Sequence, residues 1–173
     1  MAIQGSLYPK TAWAFQERPV ASSKLNTWDD RIEAALELLC FLLNHAWGGG
    51  EGVIRGATSD DLRVAALATP GLSVEVRPGY AFISKFPYKL AATTVTPAIT
   101  PPPVYPRIDL VQAVLATWTV SVKGGVEAGS PIPPPTDAGC IALAQLHLRP
   151  GMTSIKDTDD AVNGYISDAR QFL

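Results

Sequence analysis

The most regular hydrophobic pattern in the chain lies between residues 27 and 47, where it predicts a helix. Apolar side chains recur there at alternating steps of four and three residues, which is the spacing of a coiled-coil seam: Trp28, Ile32, Ala35, Leu39, Leu42 and Ala46. Asn26 and Thr27 are candidate N-caps, and the glycines at 48–50 are expected to end the helix. The seam predicts an oligomerisation helix that packs against copies of itself.

A second apolar stripe lies beside the seam on the same helix. It leaves only a narrow polar strip and consists of Ala34, Leu36, Leu38, Phe41 and Leu43. Because packing on one partner needs one apolar stripe, two stripes indicate two partners. We expect the seam to form a bundle around a symmetry axis and the second stripe to pack on the domain that follows. The alternative is a helix that its own sheet buries on most sides.

After the helix, the hydrophobic pattern becomes alternating and predicts a β domain over residues 53–173. A half-buried strand at 72–77, a Pro-Gly turn and a partner strand at 80–83 form the expected first hairpin. In the strand that follows residue 117, Trp118 alternates with core positions and is expected to be buried. Further strands are predicted at 93–99, 107–116, 118–123 and 140–148, of which 107–116 is apolar on both faces and therefore central.

The order of these elements predicts the fold class. No helix alternates with the strands, so a parallel α/β sheet is not expected. We predict a mainly β protein, an antiparallel β-sandwich or small barrel, preceded by an extended N-terminal arm at residues 1–26 and one oligomerisation helix. The arm has aromatic residues but no periodicity, and these aromatics need a surface to bury against. It is therefore predicted to dock on a partner or on its own subunit through Tyr8, Trp13 and Phe15.

Composition and charge argue against two classes of partner. Hydrophobic residues make up 47% of the chain and charged residues 17%, which is apolar for a small monomer and favours assembly. The net charge is -2 and no basic stripe is present, so nucleic-acid binding is not expected. Membrane insertion is not expected either, because Glu33, Glu37 and Asn44 interrupt the longest apolar stretch. The residues after Met1 do not resemble a signal peptide.

The residues that carry most enzyme chemistry are few and far apart. His45 and His147 are separated by more than a hundred positions, and Cys140 lies seven residues before His147 on one predicted strand, facing the other side. Cys40 and Cys140 are predicted to be buried free thiols in apolar surroundings. We predict no catalytic residues, no cofactor and no enzymatic activity.

An acidic segment near the C-terminus has part of the spacing of a calcium-binding loop. Asp157, Asp159 and Asp168 match positions 1, 3 and 12 of such a loop. However, Ala161 stands where a ligand is needed and Val162 where the glycine is needed. The segment is therefore predicted to be a solvated acidic loop without a metal.

Two charge pairs occur at a spacing that places both side chains on one side of an extended segment. They are Arg107 with Asp109, and Asp168 with Arg170. We predict that they are structural ion pairs, which either hold strand ends together or cross a subunit boundary. The alternative is a pair of ordinary exposed ion pairs that contribute little to stability.

An ordered succession of short motifs runs through the C-terminal part of the chain. The motifs occupy residues 78–83, 106–111, 119–124, 131–134, 141–146, 150–151 and 166–170. In this order and spacing they resemble the β domain of baseplate and proximal tail-fibre proteins of tailed bacteriophages and prophages. The resemblance covers about residues 72–170, and in that family a preceding helix, here 27–47, helps to trimerise the root of the fibre.

The resemblance implies a non-enzymatic structural protein of the virion. It would be a homotrimer that acts as a tail or baseplate adaptor or as a tail-fibre root, located in the virion tail after assembly in the host cytoplasm. Its partners would be copies of itself and other phage tail or baseplate proteins. The chain ends at Leu173, soon after the resembling segment, which favours an adaptor or short root over a receptor-binding fibre.

Two other classes of function remain as alternatives. A capsid decoration protein would also be small, β-rich and trimeric, but it would bind the capsid instead of the tail. A carbohydrate-binding module for a host surface would need exposed aromatic residues beside polar groups on one face. The candidates for that role are Trp13, Trp47, Trp118 and Tyr165.

Overall fold

The computed structural model describes residues 22–46, 48–56 and 59–173, and it consists of one long helix followed by a mainly β region. The helix α1 spans Ser22–Ala46. The elements that follow are β1 (Gly52–Ile54), β2 (Val64–Ala66), β3 (Val74–Val76), β4 (Gly79–Ile83), β5 (Phe86–Leu90), β6 (Thr94–Val95), β7 (Arg107–Val114), a short 3-10 helix (Leu115–Thr117), β8 (Thr119–Lys123), β9 (Cys140–Leu148), β10 (Ile155–Lys156) and β11 (Gly164–Asp168).

The helix begins five residues earlier than the sequence pattern predicts. Asn26 and Thr27 lie inside α1, so neither of them caps it, and residues 22–26 belong to the helix and not to an extended arm. The Thr27 hydroxyl donates instead to the Ser23 carbonyl oxygen, four residues back, at 2.8 Å. The predicted docking residues Tyr8, Trp13 and Phe15 lie outside the described residues.

The glycines after α1 end the helix as predicted. The amide of Gly48 donates to the His45 carbonyl oxygen and the amide of Gly49 to that of Asn44, both at 3.0 Å. Both glycines have positive φ angles, 88° and 66°. This left-handed conformation is the usual way to satisfy the last carbonyl groups of a helix, and residues with a Cβ adopt it at a cost.

The strands of the described chain form three sheets. The largest has the order β10-β11-β9-β7-β8, and the two smaller ones have the orders β1-β4-β5 and β2-β3-β6. All neighbouring strands are antiparallel except β10 and β11, which are parallel. The fold is therefore mainly β, with antiparallel and mixed sheets and one helix, and it is compatible with a β-sandwich.

The predicted first hairpin is wrong. Strand β3 pairs with β2 and β6, whereas β4 pairs with β1 and β5, so the two strands belong to different sheets. Gly79 is the first residue of β4 and not a turn residue with positive φ. A Cβ on Gly79 would lie 2.7 Å from the amide nitrogen of Leu62, so the glycine serves a close approach of two chain segments.

Strand β7 is central, as its apolar character on both faces predicts. It lies between β8 and β9, and its residues 108–113 are all buried. The strand ends at Val114 instead of residue 116, because the chain then turns through the 3-10 helix. The predicted strand at 93–99 is also shorter, since only Thr94–Val95 is in a strand.

Trp118 is exposed, contrary to the prediction that it is buried. It ends the 3-10 helix with φ 52° and ψ 39°, one residue before β8 begins. Because it does not have a strand conformation, it does not continue the alternation of β8, and 52% of its surface is accessible to solvent. The alternating pattern therefore assigned it to the wrong face.

The hydrophobic core of the described chain is formed by side chains of the sheets, and α1 contributes nothing to it. Tyr88 and Phe82 are the largest of the fully buried side chains. The Tyr88 hydroxyl donates to the Thr119 carbonyl oxygen at 3.0 Å, which ties β5 to the start of β8. Burial raises the pKa of Tyr88 to about 12, so its hydroxyl keeps its proton at any physiological pH.

The Pro-rich connector between β8 and β9 lies close against β7. The amide of Gly125 donates to an Asp109 carboxylate oxygen at 2.9 Å, and the Lys123 ammonium donates to the Pro135 carbonyl oxygen at 2.8 Å. A Cβ on Gly125 would lie only 2.0 Å from the Ile108 carbonyl oxygen. The connector can therefore approach β7 this closely only with glycine at position 125.

The Gly125→Ala variant should destabilise the fold by about 2–4 kcal/mol, because the connector must move away from β7 and lose its hydrogen bond to Asp109. Gly129→Ala in the same connector is the matched control, since a Cβ there meets no atom within 4 Å. We expect that change to stay within about 1 kcal/mol of the unchanged chain. Urea unfolding followed by tryptophan fluorescence measures both, and equal effects would contradict the close approach.

Candidate functional site

The most unusual surface of the structure is α1, whose apolar side chains are not covered by the rest of the described chain. Its large apolar residues are all at least 39% exposed: Leu25, Trp28, Ile32, Leu36, Leu38, Leu39, Phe41, Leu42 and Leu43. Soluble monomers rarely expose a contiguous apolar patch of this size. The described chain therefore leaves the apolar surface of this helix uncovered.

Both sequence-based expectations for the second apolar stripe are wrong. The stripe does not pack on the β region of its own chain, because Leu36, Leu38, Phe41 and Leu43 are exposed. The alternative, a helix buried on most sides by its own sheet, is also wrong, since Asn44 is the one buried residue of α1. Within the described part of the chain, both stripes of α1 are left uncovered.

The helix is fixed to its own β region at its C-terminal end. The Asn44 side-chain amide donates to the Gly50 carbonyl oxygen at 2.7 Å, across the glycine turn that follows the helix. The helix also approaches β5. His45 stacks on Phe41 with a ring separation of 6.2 Å. The last turn of the helix therefore contacts the segment that leads into the β region. The large apolar side chains of the preceding turns remain exposed.

The seam is longer than the sequence pattern predicts. Because α1 starts at Ser22, Leu25 lies within the helix, three residues before Trp28, and it continues the alternation of three and four. The seam then consists of Leu25, Trp28, Ile32, Ala35, Leu39, Leu42 and Ala46. It extends over about 32 Å of helix at 1.5 Å per residue. Leu25 was missed because Asn26 and Thr27 resemble caps, although its spacing from Trp28 was visible in the sequence.

The seam offers substantial free energy of association. Burying a fully exposed Leu or Ile side chain stabilises by about 1.5–3 kcal/mol. The five large seam residues are each about half exposed: Leu25, Trp28, Ile32, Leu39 and Leu42. Their burial would therefore contribute on the order of 5 kcal/mol per helix before the entropic cost of association.

The positions that flank the seam differ between the two halves of α1. In the N-terminal half they are charged, with Lys24, Asp29 and Arg31 beside the seam. In the C-terminal half three of the four flanking positions are apolar, Leu36, Leu38 and Leu43, and the fourth is His45. The apolar arc therefore widens toward the β region, from a narrow seam to most of the helix circumference.

The ion pair of Arg107 and Asp109 holds three segments of the chain together. The guanidinium binds the carboxylate through two hydrogen bonds of 2.7 and 3.0 Å. Asp109, whose side chain is 4% exposed, also accepts the amide of Gly125, and Arg107 donates to the Thr100 carbonyl oxygen at 2.9 Å. The pair is thus buried between the start of β7 and two connectors, unlike an ordinary exposed ion pair.

The pair of Asp168 and Arg170 fixes the C-terminal segment. Arg170 has a side chain only 4% exposed and donates to Asp168 at 2.9 and 2.6 Å. It also donates to the carbonyl oxygens of Ser59 and Asp61 at 2.9 and 2.7 Å. The hydrogen bond from Arg170 is the main reason why the pKa of Asp168 lies below its usual value. Both predicted pairs therefore connect segments within one chain.

The acidic segment near the C-terminus is engaged by internal donors. Asp159 accepts two hydrogen bonds of 2.8 Å from Arg149, and Asp157 accepts the amide of Ala66 at 2.8 Å. Hydrogen bonds from Asn163 and Lys156 hold the pKa of Asp160 well below its usual range. Within the described ranges, no three His, Cys, Asp or Glu side chains are grouped in a way that could hold a metal ion.

The remaining reactive groups have inert surroundings. Cys40 and Cys140 are free, as predicted, but they are half-buried instead of buried. Burial raises the pKa of the Cys140 thiol, which disfavours the reactive thiolate. His147 stacks on Tyr165 with parallel rings whose centres are 4.4 Å apart. The pKa of His147 is lowered by burial and then by Arg149. The stacked His147 covers a face of the Tyr165 ring, which weakens the case for a sugar platform there.

Comparison with known proteins gives no relative: no protein-family model, no curated protein and no solved structure matches the chain. In the part of the chain that the structure describes, no helix is long and apolar enough to cross a bilayer. The uncovered helix and the internally satisfied β region are therefore the features from which a function can be inferred.

The Asp109→Asn variant should lower the free energy of unfolding by about 2–3 kcal/mol, because it leaves the Arg107 charge half-buried without its partner. The matched control is Asp159→Asn, which also removes a carboxylate that binds an arginine twice. Its side chain is far more exposed, so we expect a clearly smaller effect. Urea unfolding of both variants is the measurement, and a larger loss in the control would show that the buried pair is not structural.

Proposed function

We propose that this chain is a non-enzymatic structural protein of a bacteriophage or prophage virion, a homotrimeric tail or baseplate adaptor or tail-fibre root. The observation that carries the proposal is the uncovered apolar surface of α1. The order of motifs in residues 72–170, which resembles the β domain of baseplate and proximal tail-fibre proteins, supplies the assignment to the tail. Its partners are copies of itself and other tail or baseplate proteins.

Self-association follows from the form of the uncovered surface. A helix of 25 residues gains little stability alone in water, and most helical stability in proteins comes from packing of an apolar face. The seam of α1 repeats with the alternation of three and four that lets identical helices insert side chains into one another's surfaces. A second copy of the same helix is therefore a complementary partner.

The width of the apolar arc supports three helices over two. In a two-stranded coil only a narrow seam is buried, and the positions beside it remain at the solvent boundary. Each further helix around the axis covers more of the circumference of its neighbours. Leu36, Leu38 and Leu43 lie beside the seam and are apolar, which suits the wider buried arc of a trimer.

The β region supports a structural role. Its charged side chains form hydrogen bonds within the chain. Asp109 and Arg170 each bind several segments, and Asp159 accepts hydrogen bonds from Arg149. Among the described residues, no buried side-chain polar atom lacks a hydrogen-bond partner. Three such rigid units around a helical axis would form a platform on which other tail proteins can assemble.

Light scattering coupled to size exclusion tests the oligomeric state. We expect a mass of about 55 kDa, which is three copies of an 18.4 kDa chain. A mass of 18.4 kDa across micromolar concentrations would overturn the proposal, because the surface of α1 would then be stable without a partner.

The Leu39→Asn variant should raise the dissociation constant of the trimer by at least about 100-fold, because a polar side chain then lies in the seam of every helix. Asp30→Asn, which places the same residue on the polar strip of α1, should leave association unchanged. Sedimentation at a series of concentrations measures both constants, and circular dichroism checks that the β region stays folded. Equal constants for the two variants would show that the seam is not the interface.

Labelling of virions that carry the chain separates tail from capsid. Gold-labelled antibody against the β region should mark the tail end of the particle in electron micrographs. Label over the whole capsid would support a decoration protein instead, even if the chain is trimeric.

A further inference from the structure

We propose that strand β8 is a docking site for an extended segment of a second protein, which adds to the free edge of β8 as a further strand. The inference goes beyond the proposed self-association and does not depend on it, because it concerns the β region alone. Two observations carry it. Strand β8 is the last strand of the five-stranded sheet, and a groove lies along its outer side.

Strand β8 is bound to β7 through every second residue. The Trp118 amide donates to the Leu115 carbonyl oxygen and closes the turn between the two strands. Opposed residues in an antiparallel pair alternate between hydrogen-bonded and non-hydrogen-bonded positions. Counting from this turn, the residues of β8 that exchange hydrogen bonds with β7 are Val120 and Val122. The backbone groups of the intervening residues therefore point away from β7.

The outward backbone groups belong to Thr119, Ser121 and Lys123. The Thr119 carbonyl oxygen accepts the Tyr88 hydroxyl of another sheet at 3.0 Å, as expected for a group that faces away from β7. Within the described chain, the Ser121 amide and carbonyl and the Lys123 amide have no backbone partner on this side. We call this side the free edge of β8. An unpaired edge of this kind is a template for a further strand.

Strand β8 lacks the features that protect the other edge strands of the described sheets. Strand β5 contains Pro87, which has no amide to donate. Strand β1 is covered by the C-terminal segment, since Val53 binds the Gln171 carbonyl oxygen at 2.7 Å and the Leu173 amide at 3.1 Å. The edge strands β2, β6 and β10 have only two or three residues. An open edge of five residues without proline therefore indicates a strand that pairs.

A groove of about 590 Å³ lies along the free edge of β8. One side of the groove is β8 and the other is the segment 97–100. The Ile99 amide donates to the Leu72 carbonyl oxygen at 2.8 Å, next to β3, so this segment extends the edge of the sheet β2-β3-β6. A strand paired with β8 would therefore also contact the second sheet.

The walls of the groove favour an uncharged segment with apolar side chains at alternate positions. Val120 and Val122 on β8 and Ile99 on the facing segment supply the apolar surface. Arg107 and Asp109 also line the groove, but their charges bind each other. A charged side chain would lose water there without gaining an opposite charge, which opposes binding. Since side chains alternate between the two faces of a strand, every second residue of the segment faces the groove.

A second protein is a better source of this segment than the chain itself. Strand β8 of another copy belongs to its own sheet, so two such strands could pair only edge to edge and would leave the groove unfilled. Residues 1–21 precede Ser22, which lies about 36 Å along α1 from the end that is bound to the β region. A free segment of another protein has neither restriction.

Binding of a synthetic strand to the full chain tests the proposal. The probe is a fluorescein-labelled peptide, Gln-Val-Thr-Val-Thr-Val-Gln-amide, and its binding is followed by fluorescence anisotropy. We expect saturable binding, together with slower hydrogen exchange at the amides of Ser121 and Lys123. Aspartate in place of the central valine should weaken binding at least about 10-fold, because the charge would face the groove.

Two N-methylated probes separate strand pairing from simple apolar contact. With the valines in the groove, the threonine amides of the probe point toward β8 and the valine amides point away from it. Methyl groups on the two threonine nitrogens should therefore weaken binding at least about 10-fold, whereas one on the central valine nitrogen should leave it nearly unchanged. Equal binding of these two peptides, or no saturable binding of the probe, would overturn the proposal.

A variant of the chain provides the converse test. Ser121→Pro removes an outward amide and no hydrogen bond to β7, so the fold should persist while the probe binds at least about 10-fold more weakly. Ser121→Ala keeps the amide and should bind as the unchanged chain does. Circular dichroism and urea unfolding check both variants. If Ser121→Pro does not fold, the N-methylated probes still decide the question with the unchanged chain.

The other occupants are separate outcomes of the same experiment. A synthetic peptide of residues 1–21 that binds more tightly than the probe would assign the groove to this chain's own N-terminal segment and overturn the proposal. Slow exchange of the Ser121 amide without any peptide would show that residues 1–21 or a second copy already covers the edge, with the same consequence. The mass of the chain tests self-association independently, so either proposal can fail alone.

Discussion

Burial of the apolar surface of α1 is the constraint on which the proposed assembly depends. The helix exposes leucine, isoleucine, phenylalanine and tryptophan side chains on two stripes, and the sheets of its own chain do not cover them. Water disfavours such a surface in proportion to its area, whereas identical helices can remove it from water together. The apolar arc widens toward the β region. The exposed apolar surface of α1 is therefore widest where the helix meets the rest of the chain.

Hydrogen bonds join the C-terminal end of α1 to the β region. The hydrogen bond from Asn44 to Gly50 and the two left-handed glycines fix the end of the helix next to the first strand. Within the β region, the ion pair of Arg107 with Asp109 and the contacts of Arg170 hold connectors against the sheets. The β region is therefore held at the C-terminal end of its own helix.

Sequence and structure agree best where one local pattern decides the outcome. The helix, its glycine end and the doubly apolar central strand β7 follow from periodicity and composition. They disagree where a residue conflicts with its local pattern. Trp118 alternates with β8 but lies outside the strand, and Gly79 resembles a turn residue but begins β4. The predicted start of the helix was wrong because Asn26 and Thr27 are residue types that often cap helices. Inside the helix, the Thr27 hydroxyl instead donates to the Ser23 carbonyl oxygen.

The sequence by itself determined that the chain is mainly β, that one helix precedes the strands and that this helix has more apolar surface than one partner needs. These properties are local, since they depend on the spacing of side chains along an element. Only the tertiary structure decided that β3 and β4 belong to different sheets, that Asp109 and Arg170 each tie distant segments, and that the second stripe of α1 is left uncovered. Those outcomes depend on which segments meet in space, and contacts between distant residues leave no periodic trace in a single sequence.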